Sequence, residues 1–550
     1  MNSFPVNPGY SSAFPSIDPE TVRRWFADGA EFALLDVREA GQFGEGHPFF
    51  AASLPYSRLE IDAPRLLPAL GVRIALLDAA DGIAEASAVR LRALGYTSVS
   101  IVQRGVHGWA DAGLTLFKGV SVPSKTFGEW VEHRYRTPHL GAAELQRRRN
   151  AGERLIVLDG RTPEEYSRMT IPGSTSCPNG ELAYRIDDLV DDESTGIVVN
   201  CAGRTRSIIG AQTLIDLGIR NPVFALENGT QGWALGGFEL EHGATRHHAA
   251  RVSDASRALA RGRAMRLASR YGVETVDIEA ARRWLADSER STYVFDVRTR
   301  EEFTLDPVPG AVHVPGGQLL QNTDQYVGVR RGRILLVDDD GTRASVVASW
   351  LIRMGYEAAV LEPGTGRDAE LDVSTRWTET WPPLDHVVPT GVMERVVGTK
   401  NARGAVRLVD LRSSTAWCAS HVLGARWSIR SQLVSQLRAS GAELDDFVVL
   451  IADRLDVAGL ASRDLREAGF SAIAYADANA SLWRSAGFEI VEGDDLPRAA
   501  RIDYLFFAHD RHSGNLNAAR QYLAWEQGLI AQCSPTEIGV FERADRSDID

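Results

Sequence analysis

Ile197-Val198-Val199-Asn200-Cys201-Ala202-Gly203-Arg204-Thr205-Arg206-Ser207, followed by Ile208-Ile209-Gly210-Ala211-Gln212-Thr213-Leu214, reads as a strand, a tight loop and a helix that begins inside the loop. The apolar run is short and β-branched, which suits a parallel strand covered on both faces. Beyond the loop, Ile208, Ile209, Ala211, Leu214, Ile215 and Leu217 recur at helical spacing, and Gly218 marks the stop. Cys201 is therefore expected at the carboxyl end of a strand, facing the N-terminus of a helix. Backbone N–H groups there point inward and carry part of the helix dipole, with Arg204 and Arg206 close by. Such a setting favours thiolate over thiol and holds an anion against the sulfur.

Working outward, the pattern around this stretch repeats. Ser16-Ile17-Asp18-Pro19-Glu20-Thr21-Val22-Arg23-Arg24-Trp25-Phe26-Ala27-Asp28 returns as Thr275-Val276-Asp277-Ile278-Glu279-Ala280-Ala281-Arg282-Arg283-Trp284-Leu285-Ala286-Asp287. Each copy predicts a capped amphipathic helix, and each is followed by an apolar strand ending in Asp-Val-Arg, at Asp36-Val37-Arg38 and Asp296-Val297-Arg298. Two more such strand ends are Asp159-Gly160-Arg161 and Asp410-Leu411-Arg412. The aspartates lie 123 (36 to 159), 137 (159 to 296) and 114 (296 to 410) residues apart, so four tandem α/β units are predicted.

Every unit has a second strand and helix comparable with the Cys201 stretch. The strands are Ile74-Ala75-Leu76-Leu77-Asp78, Ile334-Leu335-Leu336-Val337-Asp338 and Val448-Val449-Leu450-Ile451-Ala452-Asp453, and their helices end at Gly95, Gly355 and Gly469. Counting back from those glycines sets Asp78, Asp338 and Ala452 opposite Cys201, the last to within about one residue. Only the second unit carries a thiol there. Trp109, Trp233 and Trp483 are expected to close the cores of three units, while the third is eroded at Glu362-Pro363-Gly364-Thr365-Gly366. Alternating strands and helices imply parallel sheets flanked by helices on both faces.

Length and composition set the class. A chain of 550 residues suggests roughly three to five domains. A net charge of −13 with no basic tract argues against nucleic acid and anionic membrane as partners. No apolar run approaches the length of a membrane helix, and Met1 to Pro8 show no basic or apolar leader, so no signal peptide is expected. The four cysteines, Cys177, Cys201, Cys418 and Cys533, form no Cys-x-x-Cys pair and no disulfide framework, which points to the cytoplasm.

These residues carry a resemblance to the rhodanese superfamily. They are the repeated Asp-x-Arg strand ends, Thr162-Pro163-Glu164-Glu165-Tyr166, Ile171-Pro172-Gly173-Ser174, the Cys201 loop and Glu227-Asn228-Gly229-Thr230-Gln231-Gly232-Trp233. The resemblance spans residues 14 to 492. It implies rhodanese-like units over 14–120, 137–242 (with Cys201), 272–366 and 388–492, while 243–271 reads as a helical linker and 493–550 as a docking segment. Two departures stand out. Met169-Thr170-Ile171-Pro172-Gly173-Ser174 replaces the family's Gly-His-Ile-Pro-Gly-Ala, and the loop matches neither the thiosulfate nor the mercaptopyruvate form, leaving the donor open.

The resemblance implies sulfur transfer without a cofactor or metal. Cys201 attacks the outer sulfur of an anionic, thiosulfate-like donor, and the persulfide formed passes its sulfur to a thiol or cyanide. Amides of Ala202, Gly203, Arg204, Thr205, Arg206 and Ser207 suit a persulfide, and the Arg204 and Arg206 guanidiniums suit a donor's sulfonate oxygens. Asp159 and Arg161 are expected to support the loop by hydrogen bonds. Cysteine phosphatases of related fold place arginine six residues after the cysteine, where this chain has Ser207. Two readings of different class stay open: an enzyme turning over free donors, or a persulfide carrier or interaction module that takes sulfur from a relay protein. Asp78 and Asp338 cannot carry sulfane sulfur, so units one and three are expected to be inactive.

The remaining candidates are weaker. Cys177 is weighed as a resolving thiol against an inert loop residue, and Cys418 and Cys533 as inert. His242, His247 and His248 with Arg251, Arg257, Arg261, Arg263 and Arg266 are read as a connecting helix rather than a metal or anion site. His509, Asp510 and His512 lack a nearby fourth ligand, so a docking role for their aromatic neighbours is preferred to a metal site.

Overall fold

A computed structural model describes residues 14–364, 371, 383–398, 404–493, 496–512 and 514–545. Thr365 and Gly366 of the eroded closure lie outside the described residues. Four five-stranded sheets follow one another along the chain, and all strands in them run parallel. In the second unit the strands are His139–Leu140 (β1), Leu155–Asp159 (β2), Thr175–Ser176 (β3), Gly196–Asn200 (β4) and Val223–Leu226 (β5). Their spatial order is first, fifth, fourth, second, third, and the other three sheets repeat it. The tandem α/β organisation expected from the repeats is therefore present. β4 is buried at every position, as are Phe32–Asp36 and Thr292–Asp296, which explains why these strands read as continuous apolar runs rather than alternating ones.

Register makes the four units comparable residue by residue. The strand-ending aspartates Asp36, Asp159, Asp296 and Asp410 pair with Leu77, Asn200, Val337 and Ile451. The residues that follow those partners are Asp78, Cys201, Asp338 and Ala452, in agreement with the count from the helix-ending glycines. The repeated first helices also agree, with Pro19–Ala27 capped by Asp18 and Ile278–Ala286 by Asp277.

Each strand-end aspartate is bound by the arginine two residues on, whose Nη2 also donates to the carbonyl eight residues further. The pairs are Arg38 with Asp36 and Gly46, Arg161 with Asp159 and Met169, Arg298 with Asp296 and Asp306, and Arg412 with Asp410 and Ser420. One ion pair thus pins the same turn four times. Trp109, Trp233 and Trp483 are buried, and each indole N–H donates to a backbone carbonyl, at Thr115, Glu239 and Asp477.

The units are packed, not strung. Helix α1 (Val122–Tyr135) joins the first and second, and its Phe127, Trp130 and Val131 belong to one apolar core shared by units one to three. Beyond the Cys201 loop runs α2 (Thr205–Asp216). The linker holds α3 (Asp254–Tyr271), capped by Ser253, whose Ala260, Ala264 and Leu267 are buried. It lies against α4 (Thr342–Arg353) of the third unit, where the Arg353 guanidinium stacks on Trp350 and Tyr271. The fourth unit has its own core and meets the first through a buried ion pair of Arg430 with Glu60, Arg430 also being held by Asp464 of its own unit.

The C-terminal segment ties these parts together. Ile502 accepts from Gly41 N–H of unit one, and Asp503 accepts from Ser414 N–H of unit four. Helix α5 (Leu516–Gln527) then reaches the Cys201 loop, and Phe541 packs on Phe49, Phe127 and Trp130 near the centre. Among the described residues no helix is long and apolar enough to cross a membrane.

Candidate active site

The site grows from the end of β4. Asn200 Nδ2 donates to Asp159 Oδ2 at 2.7 Å, and Thr170 Oγ1 donates to the same oxygen at 2.6 Å. With Arg161 on its other side, the buried Asp159 carboxylate is fully engaged and anchors the strand end from which the loop departs. The loop is held on its far side by the turn that begins at Gly229. Thr230 N–H donates to the Cys201 carbonyl, and Gln231 donates to Ala202 O through both its N–H and its Nε2. Gly229 has φ +52°, and a Cβ there would stand 2.2 Å from the Cys201 oxygen, so only glycine lets the two turns approach.

Cys201 is 2% exposed and leads into the N-terminus of α2, whose first free N–H groups flank the loop. Ser207 Oγ donates to Cys201 Sγ at 3.0 Å. A cavity beside Thr205, Arg206 and Trp350 measures about 10 Å³, room for roughly one water, so it is no donor pocket.

Units one and three show what this turn does when it lacks a thiol. Asp78 Oδ1 accepts from Ala80 N–H, and Oδ2 accepts from Gly82 and Ala84 N–H. Asp338 accepts from the N–H groups of Asp339, Arg343 and Ala344. In both, loop amides converge on one carboxylate, an anion nest closed by the chain's own side chain, and in unit three Arg343 Nε joins them at 3.0 Å. Cys201 occupies the corresponding position in unit two.

The arginines are used differently from the sequence expectation. Arg204 Nε and Nη2 bind both oxygens of Glu129 at 2.6 and 2.9 Å, Nη2 also pairs with Glu132, and Nη1 reaches Asn228. Arg206 makes a bidentate pair with Glu165 at 2.7 and 2.8 Å. Its counterpart in unit three, Arg343, binds Glu302, the residue that matches Glu165 at the same helix-capping position. A pair that recurs without the thiol locks the loop to its neighbouring helix. Arg204 is thus committed to α1, while Arg206 gives its terminal nitrogens to Glu165, and its counterpart Arg343 also sets Nε 3.0 Å from Asp338, at the position that Cys201 holds in unit two. The backbone amides of Arg204 and Arg206 remain in the loop.

Glu129 and Glu132 escaped sequence reasoning because they lie in α1, outside the unit they serve. Gly128 carries the local signal: a Cβ there would come 2.8 Å from Thr205 Cγ2, so α1 can lie directly on the start of α2. Burial pushes the Glu129 carboxyl up to about 7 against the pull of Arg204. Burial also acts to raise Glu165, but Arg206 and further donors overcome it and hold the group at about 2. Lys125, also on α1, is buried and donates to Val120 O, and burial pulls its ammonium down to about 8. Glu526 of α5 accepts a hydrogen bond from Thr205 Oγ1 at 2.7 Å, and no local pattern announced it.

The other candidates fall away from the site. Cys177 is completely buried, its N–H donates to Asp159 O, and burial pushes its thiol far above the ordinary range, so the resolving role weighed for it is not supported. Cys533 is pushed up to about 12 by burial. His509 stacks on Tyr504, and the side chain of His512 lies outside the described residues. Among the described residues no group of His, Cys, Asp and Glu could hold a metal ion.

The Rhodanese-like domain family matches residues 141–235 and 278–365. The crystal structure of a thiosulfate sulfurtransferase from Pseudomonas aeruginosa is 38% identical, with a TM-score of 0.86 over 96% of this chain and 98% of that one. A Rhodopseudomonas palustris protein described as of unknown function and a possible tyrosine phosphatase is 30% identical, covering 20% of this chain and 89% of its own, with a TM-score of 0.18. An HTH-type transcriptional regulator of Mycobacterium tuberculosis is 37% identical over 106 residues, 19% of this chain. The chain spans about half the length (46%) of that curated relative.

Proposed function

The chain belongs to the rhodanese-like domain family, and from that premise we propose that it is a sulfurtransferase that moves sulfane sulfur from a small anionic, thiosulfate-like donor to a thiophilic acceptor through Cys201. The observation that carries this reading is the substitution of one nest ligand. Where units one and three close the loop with Asp78 and Asp338, unit two offers Cys201 with Ser207 donating to its sulfur. A turn built for one negative charge suits a thiolate and then a persulfide.

In the first half-reaction the Cys201 thiolate attacks the outer sulfur of thiosulfate. The new S–S bond forms as the donor's S–S bond breaks, and sulfite leaves with the bonding pair. In the second, cyanide or a thiolate attacks the terminal sulfur, taking it as thiocyanate or a new persulfide and restoring the Cys201 thiolate. Charge balances in both steps, and the kinetics are ping-pong. The amides of residues 202 to 207 and the Ser207 hydroxyl stabilise the sulfur's charge, while the Glu129–Arg204 and Glu165–Arg206 pairs keep the loop in shape. Asp159 and Arg161 support the strand end.

The test is thiosulfate:cyanide turnover by the full chain, which should vanish in Cys201→Ala. Activity retained by that variant contradicts the proposal.

A further inference from the structure

The second unit does not complete its own loop. α1 bears on it from one side through Gly128 and Glu129, and α5, more than three hundred residues further along the chain, from another. Glu526 on α5 is 3% exposed. One oxygen accepts from Thr205 Oγ1 at 2.7 Å, and the other lies 3.2 Å from where a Cβ on Gly203 would stand, beside Leu523. A carboxylate thus flanks both ends of the segment that follows the thiol.

Unit three supplies the internal control. Thr342 stands four residues after Asp338, as Thr205 stands four after Cys201. It is buried too, yet its hydroxyl has no hydrogen-bond partner among the described residues. The chain therefore brings a carboxylate to the loop that holds the thiol and not to the equivalent threonine of the loop that holds Asp338.

The charges nearby determine what that carboxylate does. Arg204 and Arg206 are matched by Glu129, Glu132 and Glu165. Glu526 has a neutral hydroxyl as its hydrogen-bonded partner, with the buried Lys125 as a cation behind it, donating to Val120 O. The loop amides can satisfy one negative charge on sulfur. A second negative charge brought beside the loop with the donor is opposed by the buried Glu526 carboxylate.

Resting on the sulfurtransferase reading, we infer that Glu526 is a specificity-determining residue that sets the Cys201 site against doubly charged sulfane donors and towards singly charged ones. Thiosulfate and the methanethiosulfonate anion make the comparison clean. Both present a terminal sulfane sulfur on a sulfonyl centre, both leave a Cys201 persulfide, and a methyl group in the second replaces one charged oxygen of the first. Their leaving groups are sulfite and methanesulfinate.

The experiment measures kcat/KM for each donor with cyanide as acceptor, in the full chain and in E526Q, E526A and E526D, with mass spectrometry of the Cys201 peptide after each donor. E526Q keeps an acceptor for Thr205 while removing the charge, and E526A removes both. The inference predicts that the thiosulfate-to-methanethiosulfonate ratio rises about tenfold in E526Q and E526A and stays within about twofold of wild type in E526D, as expected for one buried charge at short range. An unchanged ratio in E526Q and E526A, with both donors loading Cys201, overturns it. So does an equal shift in E526D, which would assign the effect to shape. If neither donor loads Cys201 in the wild type, the sulfurtransferase reading itself fails.

Discussion

Replacing Ser207 by alanine removes the one side-chain hydrogen bond that the described residues give to Cys201 Sγ. The hydroxyl is completely buried. A hydrogen bond to a charged acceptor is worth about 1.5–3 kcal/mol, whereas one to a neutral thiol is worth far less. The loss therefore falls on the states in which sulfur is negative, the attacking thiolate and the persulfide. At about 1.4 kcal/mol per tenfold, persulfide formation in S207A should slow by roughly 10- to 100-fold. Stability should drop by no more than about 1 kcal/mol, because one hydroxyl is lost and the helix start remains. Single-turnover release of sulfite from thiosulfate measures the first quantity and guanidinium unfolding the second. Ser207→Thr, which restores a hydroxyl, should recover part of the rate. A rate in S207A within about twofold of wild type refutes the assigned stabilisation.

Arg204→Met removes the buried cation that Glu129 and Glu132 share and should cost about 3–5 kcal/mol in guanidinium unfolding, a loss below about 1 kcal/mol being contrary to a working clamp. Arg206 and further donors hold Glu165 at about 2 in the folded chain against 4.5 for a free glutamate, so its contribution is present above pH 4.5 and disappears as pH falls towards 2. A melting-temperature profile should show that acid limb in the wild type and a weaker one in Arg206→Met. Cys177, buried and with its thiol pushed up, should resist iodoacetamide at pH 8 in the folded protein and react once denatured. Labelling of folded Cys177 at the rate of a free thiol contradicts its placement.

The fourfold repeat was legible because its determinants are local. A strand ending in Asp-x-Arg can pin its own turn through residues two and eight positions on, so each unit carries the signal within one short segment. The helix-ending glycines were as informative, since counting from them recovered the positions of Asp78, Asp338 and Ala452 later confirmed by strand register. What stayed hidden was non-local. Arg204 and Arg206 stood out as cations beside a thiol, but their partners decide their use. Glu165 lies inside the Thr162-to-Tyr166 motif with nothing to mark its partner, and Glu129 sits in a helix between units. Glu526 comes from the far end of the chain, and nothing in the composition of Leu516 to Gln527 marks one glutamate among its neighbours. The nest formed around Asp78 and Asp338 was likewise out of reach, because hydrogen bonds from amides leave no residue-type signature.

The account turns on whether residue 201 accepts a sulfur atom. Mass spectrometry of the full chain after exposure to thiosulfate, with peptides resolved for all four cysteines, measures this directly. The predicted result is one added sulfur on the Cys201 peptide and none on the peptides of Cys177, Cys418 and Cys533. An unmodified Cys201, or sulfur carried by another cysteine in its place, would contradict it.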